Sequence, residues 1–305
     1  MKFTAATLAV LAAASTAAAK PLLDQLSNLD PAQLAQLGQQ YANKGQELAA
    51  CASAGTQLSC HASYDIPPTS AGSCCFNGAL VSGGKQSGLI LSTSFWTTNA
   101  PDPANNGPKD STTIHGLWPD YCDGTYPQFC SSISGIPEYT GEQIEAVMQK
   151  YDPALYAYYQ TYFKDLDGDS ADFLSHEYNK HGTCYTTMRS QCQPQLPWIS
   201  QADFAVLNYF RQIAHKFQER PTYNILQSAG ITPSSSQNYT LVQVQQALKN
   251  AHGATPFVGC NKKGEMNEFW YFWNVRGQVN FGLYEAVEST TKSTCPQSLK
   301  YLPKP

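Results

Sequence analysis

The sequence predicts an α+β fold in which a central, mostly antiparallel sheet is flanked by helices and stapled by five disulfides. Strand-like segments lie near both ends of the cysteine-bearing region, and helical patterns lie between them. Ten cysteines follow an N-terminal secretory signature, and an even number in that context is typical of a disulfide framework. The 305 residues are enough to bury a sizeable core.

The N-terminus predicts a secretory signal peptide over residues 1–19. Lys2 supplies a positive charge, residues 8–14 form a short apolar stretch, and residues 17–19 are the small alanines of a cleavage site. That stretch is too short to span a bilayer, and no later one approaches about eighteen apolar residues. We therefore expect a secreted protein with no membrane partner, or one held in a vacuolar or lysosomal-type compartment.

Residues 20–50 differ from the rest of the chain. They are rich in glutamine, leucine and alanine, lack cysteine, and show a loosely amphipathic helical pattern with Asp30 and Pro31 as a plausible N-cap and first-turn pair. An N-terminal extension and a propeptide fit this composition equally well. Residues 51–305, which hold every cysteine, are expected to form the functional domain.

The predicted elements follow from local patterns. Residues 88–96 are strand-like, and residues 97–111 form a loop rich in Pro, Asn and Gly. Helical patterns cover residues 140–149, 153–163, 173–184, 203–220 and 240–250. A hairpin follows, with strands over residues 268–275 and 279–287 joined by a turn at residues 276–278.

The net charge of −4 excludes a protein that binds nucleic acid through a broad basic surface. An RNA substrate would have to be held by a local site. Asn238 begins the single sequon that we single out, which makes it a candidate glycosylation acceptor.

The predicted helix over residues 173–184 carries an unusual cluster of reactive side chains. At about 100° per residue, His176, Glu177, Lys180 and His181 fall within an arc of about 140° that also contains Phe173. One interpretation is the solvated face of a surface helix. A zinc-protease site is a poor fit, because its histidines are spaced i and i+4 whereas these are spaced i and i+5 with a lysine between them. We expect no metal here.

A second cluster lies in residues 113–120. His115 is followed by Gly116, Trp118 and Asp120. A lone histidine near a tryptophan is more often structural than catalytic, but the two clusters together supply what metal-free RNA cleavage needs. Two imidazoles can act as base and acid, a lysine can neutralise phosphoryl charge, and aromatic rings can stack on a base.

These two clusters resemble the two active-site signatures of the ribonuclease T2 family. The HGLWP motif is found at residues 115–119 and the HE-x-x-KHG-x-C motif at residues 176–184, and the resemblance extends over about residues 51–295. It implies an endoribonuclease that cuts single-stranded RNA with low base specificity, through a 2′,3′-cyclic phosphate to a 3′-phosphate. It also implies no cofactor, no DNA substrate and a monomer.

The resemblance implies catalytic roles for five residues. His115 and His181 match the acid–base pair, with His181 as the base and His115 as the acid of the first step. His176 matches the phosphate-binding histidine. Glu177 and Lys180 match the residues that stabilise the pentacovalent transition state.

It also implies two base sites and a disulfide pattern. Trp118, Asp120 and Tyr126 match the primary base site, and Phe173 matches a contact of the second. Ser94 stands where the family often has glutamine, a departure that concerns base preference rather than catalysis. The implied pairs are Cys51–Cys75, Cys60–Cys122, Cys74–Cys192, Cys130–Cys184 and Cys260–Cys295.

Two other classes of protein remain as alternatives. One is a secreted binding protein or toxin with the same fold, which loss of a motif histidine would favour; none is lost. The other is a metal-dependent phosphohydrolase, which sensitivity to a chelator would reveal.

Overall fold

The computed structural model describes residues 58–61, 74 and 85–305. The predicted signal peptide, the segment over residues 20–50 and the predicted Cys51–Cys75 disulfide lie outside these residues. Within the described ranges, no helix is long and apolar enough to cross a membrane.

A five-stranded sheet with the order β2-β1-β5-β4 forms the centre of the fold, and β6 pairs with the continuation of β5. Every pairing between these strands is antiparallel, so the prediction of a mostly antiparallel sheet is confirmed. A second sheet pairs β3 with β7. The strands are β1 (Ser87–Phe95), β2 (Thr113–Tyr121), β3 (Asn238–Thr240), β4 (Phe257–Cys260), β5 (Met266–Arg276), β6 (Leu283–Val287) and β7 (Ser298–Lys300).

Helices cover the segment between β2 and β4. They are α1 (Ser131–Ser134), α2 (Gly141–Tyr151), α3 (Pro153–Tyr162), α4 (Ser170–Lys180), α5 (Gln201–Glu219), α6 (Thr222–Ser228) and α7 (Leu241–His252). Capping explains several boundaries. Thr140 and Thr240 each form a capping box with the glutamine three residues later, at the start of α2 and α7. The predicted α+β arrangement of helices and antiparallel sheet is thus confirmed.

Several segments differ from the sequence prediction, which does not include strands β3, β4 and β7 or helices α1 and α6. The helix predicted over residues 173–184 begins earlier, at Ser170, because Asp169 caps it, and it ends at Lys180, before a separate 3₁₀ turn over Gly182–Cys184. Strand β2 was not predicted, because glycine and proline interrupt its pattern; an edge strand tolerates both. The returning strand of the hairpin begins at Leu283 rather than residue 279, because Val279 is buried outside the ladder.

Helix α5 joins the sheet to α4. Its apolar face includes Tyr209 and Phe210, which are both fully buried. The Tyr209 hydroxyl lies 3.0 Å from the carbonyl oxygen of Leu117 on β2 and 3.1 Å from that of Glu177 on α4. A single buried phenol therefore fixes the helix and the strand that carry the two sequence motifs.

Four disulfides are present among the described residues, and each matches an implied pair. They are Cys60–Cys122, Cys74–Cys192, Cys130–Cys184 and Cys260–Cys295. Two of them hold the two ends of residues 122–130, the segment that follows β2. Asn238 of the sequon is exposed at the start of β3.

Candidate active site

A β-bulge in β2 brings the residues of the first motif together. Ile114 lies opposite Ser94, and Gly116 lies opposite the preceding residue of β1, so His115 is the extra residue of the bulge. The ring centroids of His115 and Trp118 are consequently 4.7 Å apart, edge to face. In a regular strand, residues three apart would point to opposite faces.

The His115 ring is held on several sides. It stacks on Phe95 with centroids 4.0 Å apart. Its Nδ1 lies 3.2 Å from Oε1 of Glu268, and its Nε2 lies 3.5 Å from Oε1 of Glu177. Two carboxylates therefore flank one imidazole, which fixes the ring orientation and complements the charge that the ring carries when protonated.

Glu177 is the buried centre of the site. Its side chain has no exposed surface, and it accepts a 2.9 Å hydrogen bond from the indole nitrogen of Trp118. Burial raises the pKa of Glu177, and the charge of nearby His115 opposes that shift. A Cβ on Gly116 would overlap Oε2 of Glu177. The glycine of the HGLWP motif is therefore the residue that lets the carboxyl group pack against β2.

His181 lies at the C-terminal end of α4, stacked on Trp118 with ring centroids 4.9 Å apart. It is 3% exposed, and neither ring nitrogen has a hydrogen-bond partner among the described residues. Burial, followed by the charge of Lys180, holds the pKa of His181 well below its usual range. The direction of this shift favours the neutral form of the ring.

His176 and Lys180 occupy the more open side of α4. Burial, and then Lys180, lower the pKa of His176. The Lys180 ammonium lies 6.0 Å from the ring centre of Tyr126, and the His176 ring meets Phe129 edge to face at 6.5 Å. Cationic groups and aromatic rings thus share one region, an arrangement suited to an aromatic anion such as a nucleotide.

The residues predicted to bind bases lie in different surroundings. Tyr126 is 54% exposed, whereas Asp120 is 4% exposed. Burial, and then the charge of Asp123, raise the pKa of Asp120 to about 8. Phe173 lies 5.7 Å from the His115 ring. The fold therefore brings Phe173 close to His115 and keeps Asp120 as a buried carboxyl group on β2.

Sequence reasoning missed Glu268, Phe95 and Tyr209. Glu268 lies directly opposite Phe95 in the β1–β5 ladder, and both contact His115. A charged residue within the aromatic run of β5 was the one available signal for Glu268. Within the described ranges, no group of three or more His, Cys, Asp or Glu side chains could hold a metal ion.

Comparison with known proteins identifies the family of the chain. The model of the Ribonuclease T2 family matches residues 87–294, which include all nine predicted catalytic and base-binding residues. The chain belongs to the ribonuclease T2 family. As a T2-type enzyme it is an endoribonuclease that acts on RNA, which confirms the predicted class of enzyme.

Relatives and a solved structure resemble most of the chain. Ribonuclease Trv of Hypocrea rufa is 41% identical over 251 residues, which cover 82% of this chain and 96% of the relative. Ribonuclease T2-like 1-A of Candida albicans is 38% identical over 250 residues, covering 81% of this chain but 58% of that longer relative. The crystal structure of the T2 ribonuclease Actibind has a TM-score of 0.68 at 36% identity, covering 81% of this chain and 95% of Actibind.

Proposed function

We propose that this T2 ribonuclease is secreted and cuts single-stranded RNA with low base specificity, by acid–base transphosphorylation that needs no metal. The observation that carries the proposal is the contrast between two histidines of one site. His181 is buried beside an indole ring, whereas His115 is flanked by two carboxylates. Environments that differ in this way separate a base from an acid.

In the first step, neutral His181 removes the proton of the ribose 2′-hydroxyl, whose oxygen attacks the phosphorus. The bond from phosphorus to the 5′-oxygen breaks, and protonated His115 gives its proton to that leaving oxygen. The products are a 2′,3′-cyclic phosphate and a free 5′-hydroxyl. The side chains of Glu177 and Glu268, within 3.5 Å of the His115 ring, hold the ring in place for the transfer.

In the second step, the histidines exchange roles. His115, now neutral, removes a proton from water, and the water oxygen attacks the cyclic phosphate. The bond from phosphorus to the 2′-oxygen breaks, and His181 returns its proton to that oxygen. A 3′-phosphate remains, and both histidines regain their starting protonation states.

Lys180 and His176 hold the charged oxygens of the phosphoryl group, since both groups lie on the open side of α4. Glu177 keeps the geometry by joining His115 to Trp118. By holding these two side chains in place, Glu177 contributes to the stabilisation of the transition state.

Base binding has low specificity in this mechanism. Trp118 and the exposed Tyr126 offer aromatic surface at the primary site, and any base can stack on such surface. Asp120 supplies a buried carboxyl group that hydrogen-bonds the base, and Phe173 borders the second base site beside His115. DNA is not a substrate, because it lacks the 2′-hydroxyl that must attack.

The remaining parts of the chain serve export and stability. Residues 1–19 direct secretion, residues 20–50 form an extension or propeptide, and residues 51–305 form the ribonuclease domain. Cys51 pairs with Cys75, and Asn238 carries a glycan. The enzyme acts as a monomer, since all of the proposed catalytic groups come from one chain.

The decisive experiment is incubation of the purified enzyme with bulk RNA in excess EDTA at mildly acidic pH, with analysis of the product ends. Cyclic phosphates followed by 3′-phosphates are the expected products, and single-stranded DNA of the same length should stay intact. Cleavage that EDTA abolishes would support the metal-dependent alternative. A folded protein without activity would support the binding-protein alternative.

A further inference from the structure

Phe129 has an unusual backbone and an unusual position for its residue type. Its φ is +52°, a left-handed conformation that bulky side chains rarely adopt. The residue is nevertheless 51% exposed, so burial of the ring does not offset the strain. Backbone strain of this kind is concentrated at functional sites.

Specific bonds hold the strained residue to the end of the catalytic helix. The Phe129 amide donates a 3.0 Å hydrogen bond to the carbonyl oxygen of Lys180. The next amide, that of Cys130, donates to the Thr183 hydroxyl at 3.0 Å, and Cys130 is joined to Cys184. The backbone of Phe129 is thus held at the C-terminal end of α4.

The ring lies beside the groups that would hold phosphate. Its centre is 6.5 Å from that of His176, at an angle of 86°. Tyr126, three residues earlier, is also exposed and lies near the Lys180 ammonium. Each of the two exposed rings therefore lies beside a side chain proposed to hold phosphate, Tyr126 beside Lys180 and Phe129 beside His176. Rings on which bases can stack, next to groups that can bind phosphate, are typical of sites for single-stranded nucleic acid.

We propose that Phe129 forms a third base subsite, where a nucleobase of single-stranded RNA stacks outside the two bases that flank the scissile phosphate. The inference rests on the proposed function, because it deepens the substrate preference of the same site. Stacking on a phenyl ring does not depend on base identity. The subsite therefore favours longer strands without adding base specificity.

The test uses chimeric oligoadenylates with one ribose each, so that every substrate has a single cleavable bond. The dimer has the ribose nucleotide followed by one deoxynucleotide, and two trimers extend it by one deoxynucleotide on the 5′ or the 3′ side. Wild type should cleave one trimer with a kcat/KM about fivefold or more above that of the dimer, as expected for one stacked base. Phe129→Ala should remove this advantage, and Phe129→Trp should keep it.

Phe129→Gly separates binding from folding. Glycine accepts a positive φ without strain, so its Tm should not fall below that of Phe129→Ala, while the trimer advantage disappears. Phe281→Ala is the matched control, because Phe281 is 72% exposed in the connection between β5 and β6. It should leave the cleavage of all three substrates unchanged.

The outcomes distinguish this inference from the proposed function. If wild type cleaves the dimer but neither trimer is preferred, the third subsite is wrong and the proposed function stands. If Phe129→Ala lowers dimer and trimer cleavage by the same factor, the ring supports His176 instead, and the inference is again overturned. If wild type cleaves none of the substrates, the proposed function itself fails.

Discussion

Glu268 and His115 lie on strands that do not pair with each other, yet Oε1 of Glu268 is 3.2 Å from Nδ1 of His115. Strand β1 runs between them, and the contact passes across it at Phe95. The bond fixes Nδ1 as the donor, which leaves Nε2 to exchange a proton with the substrate. Glu268 is thus a positioning residue for the proposed general acid.

Replacing Glu268 with glutamine keeps a hydrogen-bond acceptor but removes its charge. We expect kcat/KM to fall about tenfold, the usual loss when a hydrogen bond between charged groups becomes neutral. Initial rates measured from about pH 3 to pH 9 provide the test.

Glu285→Gln is the matched control, since Glu285 is an exposed residue of β6 that pairs with Arg276 of β5. Its pH–rate profile should match that of wild type. A kcat/KM for Glu268→Gln within about twofold of the wild-type value would contradict a role of the Glu268 charge in the reaction.

Phenylalanine at position 115 or 181 should lower the cleavage rate about a hundredfold or more, the usual contribution of an acid–base group. Folding should survive, because both imidazoles already pack against aromatic rings. Circular dichroism and Tm check the fold, and single-turnover cleavage checks the rate. Retention of roughly a tenth of the rate would contradict the assigned pair.

His181→Phe should also change the dependence of stability on pH. Burial lowers the pKa of His181 in the folded state, so wild type loses stability as pH falls below the unfolded value of about 6.5. The variant lacks this loss, so the Tm of the variant minus the Tm of wild type should increase as the pH is lowered from 7 to 4. A constant Tm difference across this interval would contradict the pKa shift.

Gly116→Ala should destabilise the enzyme by about 1–3 kcal/mol, because the new methyl group would overlap the buried Glu177 carboxyl group. Urea unfolding measures this change. In a Glu177→Ala background the same substitution should cost less, since the nearest obstructing atom, Oε2 of Glu177, is gone. An equal loss of unfolding free energy in both backgrounds would show that atoms other than those of Glu177 obstruct the new methyl group.

Asp120→Asn should stabilise the enzyme at neutral pH and have little effect near pH 4. The folded-state pKa of about 8 lies above the unfolded value of 3.8, so the stability contributed by protonated Asp120 is lost as pH rises through this range. A gain of about 1 kcal/mol or more corresponds to a Tm increase of roughly 2–4 °C at pH 8. Thermal melts at both pH values give the comparison.

Local chemistry predicted much of this fold. Thr240 marks the start of α7 because a capping box lies within four consecutive residues. The contact between His115 and Glu268 was beyond such reasoning, because it depends on strand order and on a bulge in a strand that the sequence pattern hid. The histidines of both motifs could be named from the sequence, but the burial that separates their chemistry comes from tertiary packing around Trp118.

The disulfides at the two ends of residues 122–130 couple this enzyme's competence to redox state. Closing the 54-residue separation between Cys130 and Cys184 is worth about 4 kcal/mol in the chain-entropy model, and this bond joins residues 122–130 to the turn that follows α4. The cytosol keeps such thiols reduced. In a reducing compartment the chain would lack this tether, and the proposed active site would lose a bond that holds its two parts together.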